Sequence, residues 1–333
     1  DPKLFRRIGA PIKIGVGVVE FNLQESANGA VQILHATEGC RVLLANGKTR
    51  TIFNRVNGGY TSSRAISPDG TRIVLAHSTG QMMLYRISDG ALLAEQAFHD
   101  RQTAVVVSED GSRILSRSLD GTARVWDGWT LSPVGQAIRI GSAFHAGRFS
   151  PDGRKVVLGT ADGRVLSFDL MGNLLGLTLP HGTPVDWNIM MTQDGTILTE
   201  SGSTMCAWPA NSFAPSFQSP GTAPMAANLT YAHMGGQYLG VPSYADALLV
   251  CRKGGEAYRW ESPSVGDGIS MAASSSSGKI TAHLRYGGSI KCWNLESGKS
   301  VGSDIRPPEI DVSAFVVTPD GGRVVTLTRA GCL

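Results

Sequence analysis

The chain has no CxxC pair, no HExxH, no apolar run near 18 residues and no Lys/Arg block. Each absence removes a class of function. Five cysteines (Cys40, Cys206, Cys251, Cys292, Cys332) are odd in number and scattered, which excludes a zinc cluster and a disulfide framework. Scattered reduced thiols fit a cytoplasmic protein. Without a long apolar run there is no membrane-spanning helix to expect, and no stretch reads as a signal peptide. A net charge of +3 over 333 residues gives no electrostatic support to nucleic-acid or membrane binding. With 42% hydrophobic and 17% charged residues, the chain is globular.

What is abundant is glycine, 41 residues, which points to many short strands joined by tight turns. Turn dipeptides recur at Asn28-Gly29, Asp69-Gly70, Asp110-Gly111, Asp152-Gly153, Asp194-Gly195, Gly235-Gly236, Ser277-Gly278 and Asp320-Gly321. The spacing between successive glycines is 41, 41, 42, 42, 41, 42 and 43 residues. Short β-rich runs follow most of these turns, such as RIVLAH (72–77), RILSRS (113–118) and KVVLGT (155–160). A second glycine comes ten residues later in six units, at Gly39, Gly80, Gly121, Gly163, Gly288 and Gly331. Another strand follows it in five of the six. A third turn, as at Asp89-Gly90, leads to a last strand. The unit is therefore four short strands in about 42 residues. Such a sheet cannot bury both faces alone, and stacking around an axis covers them. The expected fold is all-β, a β-propeller of four-stranded antiparallel blades, with eight blades favoured and seven the alternative.

Three hairpins read Ser67-Pro68-Asp69-Gly70, Ser150-Pro151-Asp152-Gly153 and Thr318-Pro319-Asp320-Gly321, and one unit ends Arg124-Val125-Trp126-Asp127. In these residues the chain resembles the WD-repeat (WD40) family. The resemblance implies a structural hydrogen-bonded tetrad of His99, Ser118, Asp120 and Trp126. Elsewhere the tryptophan column reads Leu44, Tyr85, Phe168, Cys251 and Trp293, with Trp208 two residues early. Thr160 and Asp162 keep two tetrad members without a histidine upstream.

Residues 4–12 align with a last strand and 313–333 with the first two strands of a unit. The family's usual closure would have the N-terminal strand complete the C-terminal blade, making 1–333 a single propeller. The chain begins at Asp1-Pro2, where the aspartate of a preceding unit would fall, and stops where a third strand should run. The expectation is a segment of a longer polypeptide, covalently linked to other domains.

Lys48-Thr49 after Gly47 and Lys299-Ser300 after Gly298 look like the end of a phosphate loop, but the earlier glycine is replaced by Val42 and Trp293. These are strand turns. Each unit offers one turn aspartate, too few for calcium. The seven histidines occur singly, and no acid or nucleophile pairs with them nearby. No cofactor, metal or catalytic residue is expected. Redox-cofactor propellers carry a regular docking tryptophan that the fourth strands lack. What remains is surface, on the rim formed by the loops before each first strand and the second-to-third turns. Tyr60, Arg101, Phe144, His145, Asp186 and Trp187 are the partner-binding candidates, since aromatic and Arg side chains favour interface hot spots. Trp129 and Trp260 lie near outer strands. The expected function is a non-catalytic protein–protein interaction platform, a scaffold or sensor in a multidomain signalling or defence protein. The alternatives are a propeller hydrolase or lyase with an active site at the channel mouth, and a periplasmic assembly scaffold.

Overall fold

The computed structural model describes residues 24–25, 31–35, 39–44, 49–53, 60–101, 103–180, 184–185, 189–191, 195–201, 204–209, 217–218, 232–234, 237–240, 247–252, 257–261, 269–275, 280–285, 287–294, 297, 299–306, 312–317, 321–322 and 324–328. Their regular structure is all strand, and no helix among them is long and apolar enough to cross a membrane. Contacts divide the chain into two compact units, Ser26–Ser219 and a second made of Asp1–Glu25 with Pro220–Leu333.

The Ser26–Ser219 unit holds the strands Val31–His35, Gly39–Leu43 and Thr49–Phe53, hereafter sheet 1. Four complete four-stranded antiparallel sheets follow, spanning 61–97, 103–139, 144–180 and 189–218 (sheets 2 to 5). The other unit holds four-stranded sheets over 232–261 and 269–305, and the pair Val312–Val317 with Val324–Thr328. Every sheet follows chain order, strand beside next strand, as hairpin connections require. The segment 4–12 and the third strand expected after Gly331 lie outside the described residues.

Side-chain alternation explains the stacking. In Arg72–His77 all six residues are buried. Ile73 and Leu75 pack with Cys40, Val42 and Ile52 of sheet 1, whereas Val74 and Ala76 pack with Val105, Ile114 and Trp126 of sheet 3. Successive side chains point to opposite faces, so a strand wholly buried on both faces needs a neighbour on each side. The pattern repeats: Leu115 and Val125 of sheet 3 meet Val156 and Leu158 of sheet 4. Val157 and Val165 of sheet 4 meet Ile189, Ile197 and Trp208 of sheet 5. Contact between neighbouring sheets is concentrated at their first and second strands. Fourth strands are the exposed ones, as the Leu92–Ala97 and Pro133–Arg139 patterns show. Sheets that meet at one edge and part at the other are wedges.

The hairpins at the Asp-Gly turns share one hydrogen-bond scheme. The Ser67, Ser108 and Ser150 hydroxyls donate to Asp69, Asp110 and Asp152 at 2.5, 2.6 and 2.6 Å. Each serine oxygen also accepts the amide five residues on, at 3.0, 3.0 and 2.9 Å. The aspartate then accepts the amide two residues ahead, closing an Asx turn.

The tetrad requires a correction. His99 Nε2 and Trp126 Nε1 meet on Ser116 Oγ, at 2.7 and 2.8 Å, not on Ser118. His99 Nδ1 lies 2.7 Å from Thr122 Oγ1, which donates to Asp120 at 2.5 Å. Ser118 instead accepts the Asp120 amide and donates to the Arg101 carbonyl. Register decides between the two serines. Trp126 pairs with Ile114, so the residue two further along the second strand lies beside the indole on the same face.

Trp208 obeys the same register. It pairs with Ile197 and donates from Nε1 to Thr199 Oγ1, two residues on, at 2.9 Å. Its column position is therefore that of Trp126. It reads two residues early because the turn between Ile197–Ser201 and Thr204–Trp208 is one residue shorter than the matching turn after Arg113–Ser118, and because Ile197 lies one residue nearer its Asp-Gly turn than Ile114 does.

Candidate partner-binding face

Within the Ser26–Ser219 unit the loops that precede first strands pack against second-to-third turns, as a rim requires. Ser78 N–H donates to Tyr60 O at 3.0 Å and Ala161 N–H to Ala143 O at 2.9 Å. Across sheets, Gly80 of one turn lies so close to the His99 carbonyl that a Cβ would overlap it. Gly121 faces Ser142 less closely, with the Ser142 carbonyl oxygen 3.2 Å from where a Cβ would stand.

On this rim Tyr60 is 60% exposed, its amide held by Ser78 Oγ at 3.2 Å. Arg101 is exposed, and its carbonyl accepts from Thr103 Oγ1 at 3.0 Å. Both side chains stand free of the core on anchored backbone. His145 is half-buried. Phe144 departs from expectation: it is completely buried, packed with Leu115, Phe149 and Leu158. As the first residue of Phe144–Phe149 it points between sheets 3 and 4, where a ring removes more apolar surface from water than it would on the rim. Asp186 and Trp187 lie outside the described residues, as does the side chain of Trp260. Trp129 is 56% exposed, on a third-to-fourth turn, with the Arg72 guanidinium 3.2 Å from its ring centre.

A cleft of about 280 Å³ opens beside this rim, lined by Ser62, Ser63, Thr103, Ala104, Arg117, Leu119 and Phe144. Sequence reasoning missed it, because its residues come from the first strands of three repeats and from the end of a second strand. The available signal was Arg117, a cation inside a largely buried second strand. Its guanidinium donates from Nη1 to Phe144 O at 3.1 Å. Burial, and the like charge of Arg148, pull its pKa down to about 9, which leaves it a cation at neutral pH.

The remaining titratable groups are held by structure. Burial lowers His99 to about 4 against the opposing pull of Asp120. Burial, with Arg285 nearby, lowers His283 to about 3. Burial raises Cys40 and Cys292 to about 12, so both remain thiols. Asp110 is lowered to about 2 by the hydroxyls of Ser108 and Ser112. Among the described residues no three His, Cys, Asp or Glu side chains gather to hold a metal.

No protein-family model and no curated protein matches the chain. Among solved structures, a chain in the crystal structure of a mitotic checkpoint complex is similar over 88% of this chain and 93% of its own length. Its TM-score is 0.67 and its sequence identity 15%. At that identity the likeness is one of fold alone, and the fold is an all-β propeller of four-stranded antiparallel sheets.

Proposed function

We propose that this propeller is a non-catalytic platform for protein partners, a scaffold or sensor within a larger signalling or defence protein of the cytoplasm. The observation that carries the reading is the rim. Tyr60 and Arg101 present large, partly polar side chains from backbone already fixed by hydrogen bonds to neighbouring turns. A preordered surface loses little entropy when a partner binds. Supporting it, the perturbed groups of the described residues are accounted for by packing and turn hydrogen bonds. Placing a photo-crosslinking residue at position 60 or 101 tests the reading, with position 154 on an opposite-end hairpin as control. A partner captured at 60 and 101 but not at 154 is expected. Equal capture at all three positions removes the rim assignment.

A further inference from the structure

In the cleft between the first strands of sheets 2, 3 and 4, two main-chain acceptors are already used. Thr103 O accepts from Ser62 Oγ at 2.6 Å, and Phe144 O accepts from Arg117. Thr103 Oγ1 donates to Arg101 O. Ser63 Oγ accepts the Val105 amide at 3.1 Å, which keeps its hydroxyl proton for another acceptor. Arg117 lines the same cavity. Gly147 seats that side chain: a Cβ there would stand 3.0 Å from Arg117 Cδ. Arg148, the next residue, is exposed, and its positive charge bears on Arg117. A cavity that offers the Ser63 hydroxyl proton and the Arg117 side chain, with a second cation nearby, selects an anionic acceptor. Ala104, Leu119 and Phe144 complete the lining and suit the methylene groups that lead to a charged head.

We propose that this cleft receives the carboxylate of an aspartate or glutamate on a protein partner, gripped by Arg117 and Ser63 and drawn in by Arg148. The proposal rests on the platform reading and names the chemistry its partner must carry. The probe is acetyl-Gly-Glu-Gly amide, titrated into the whole chain while the arginine Nε–Hε signals are followed by NMR. The matched glutamine peptide, sodium acetate and inorganic phosphate are run in parallel. The glutamate peptide should shift the Arg117 signal saturably and bind about tenfold or more tighter than the glutamine peptide. Arg148→Ala should weaken it roughly threefold or more and flatten its salt dependence. Ser63→Ala should weaken it too, and a thermal melt of each variant establishes that it is folded.

Equal binding of the two peptides, or no shift of Arg117, overturns the proposal. Phosphate binding tighter than the glutamate peptide overturns the carboxylate, and acetate binding as tight as the peptide overturns the protein source. A partner that crosslinks at positions 60 and 101, on a protein that ignores the glutamate peptide, removes the cleft and spares the platform. Peptide binding on a protein that captures no partner at those positions does the reverse.

Discussion

At the scale of single residues, the buried network of sheet 3 turns on one hydroxyl. Ser116 serves both His99 and Trp126, so truncating it leaves two buried ring nitrogens in need of partners. Ser116→Ala should cost roughly 2–4 kcal/mol in urea unfolding, against under about 1 kcal/mol for Ser118→Ala. Similar losses for both variants would contradict this ordering. The sequence shows two serines on one face of a strand, and only pairing register chooses between them. The same limit applies to the rim. Tyr60 immediately precedes a first strand and Phe144 opens one, yet one is 60% exposed and the other fully buried. Which face a side chain takes depends on a neighbouring sheet that local sequence does not describe.

At the scale of strands and turns, decay of the tryptophan column is compensated. Where the column holds Trp126 or Trp208, the residue beside it is Ser116 or Thr199. Where it holds Phe168 or Tyr85, the same register position holds Leu158 or Leu75. An indole N–H needs an acceptor and a phenyl ring needs an apolar wall, so the two positions vary together. Phe168→Trp should therefore couple favourably with Leu158→Ser by about 1 kcal/mol in a double-mutant cycle. Additive effects would mean that the two sites are independent. Turn glycines divide similarly. Gly80 has φ +88° and abuts the His99 carbonyl, whereas Gly153 has φ +67° and open space around it. Gly153→Ala carries only the left-handed strain, about 1 kcal/mol. Gly80→Ala must also displace backbone and should lose several times as much, read from denaturation midpoints. Both glycines stood out by their spacing. The difference between them did not, because it belongs to the loop of the next repeat.

At the scale of the whole molecule, the repeat was legible from glycine spacing alone, since 41 to 43 residues is the length of one four-stranded sheet with its turns. The cleft was not, being assembled from residues about one repeat apart. Stability as a function of pH is a further whole-chain property. His77, His99 and His283 are buried and lowered from 6.5, His99 to about 4 and His283 to about 3. Between pH 6.5 and those values the unfolded chain binds protons that the folded chain refuses, so stability falls with acidification. Each histidine contributes a slope approaching roughly 1.4 kcal/mol per pH unit. Below 3.8 the hydrogen-bonded aspartates, Asp110 among them, extend the loss. Urea midpoints should be level above pH 7 and decline steadily toward pH 4.5. A flat profile across that interval would rule the histidine contribution out.

Arg72 belongs to sheet 2, yet its buried guanidinium bonds the carbonyls of Gly128 and Gly111 and lies over Trp129, all in sheet 3. Sheet 3 is thus finished by a side chain of sheet 2 and is not a self-sufficient brick. Transplanting residues 103–139 into another array, or shuffling the order of the units, strands that carbonyl pair without its cation. Engineers who wish to move sheet 3 must carry Arg72 with it, cutting inside sheet 2 and not at the seam between the two.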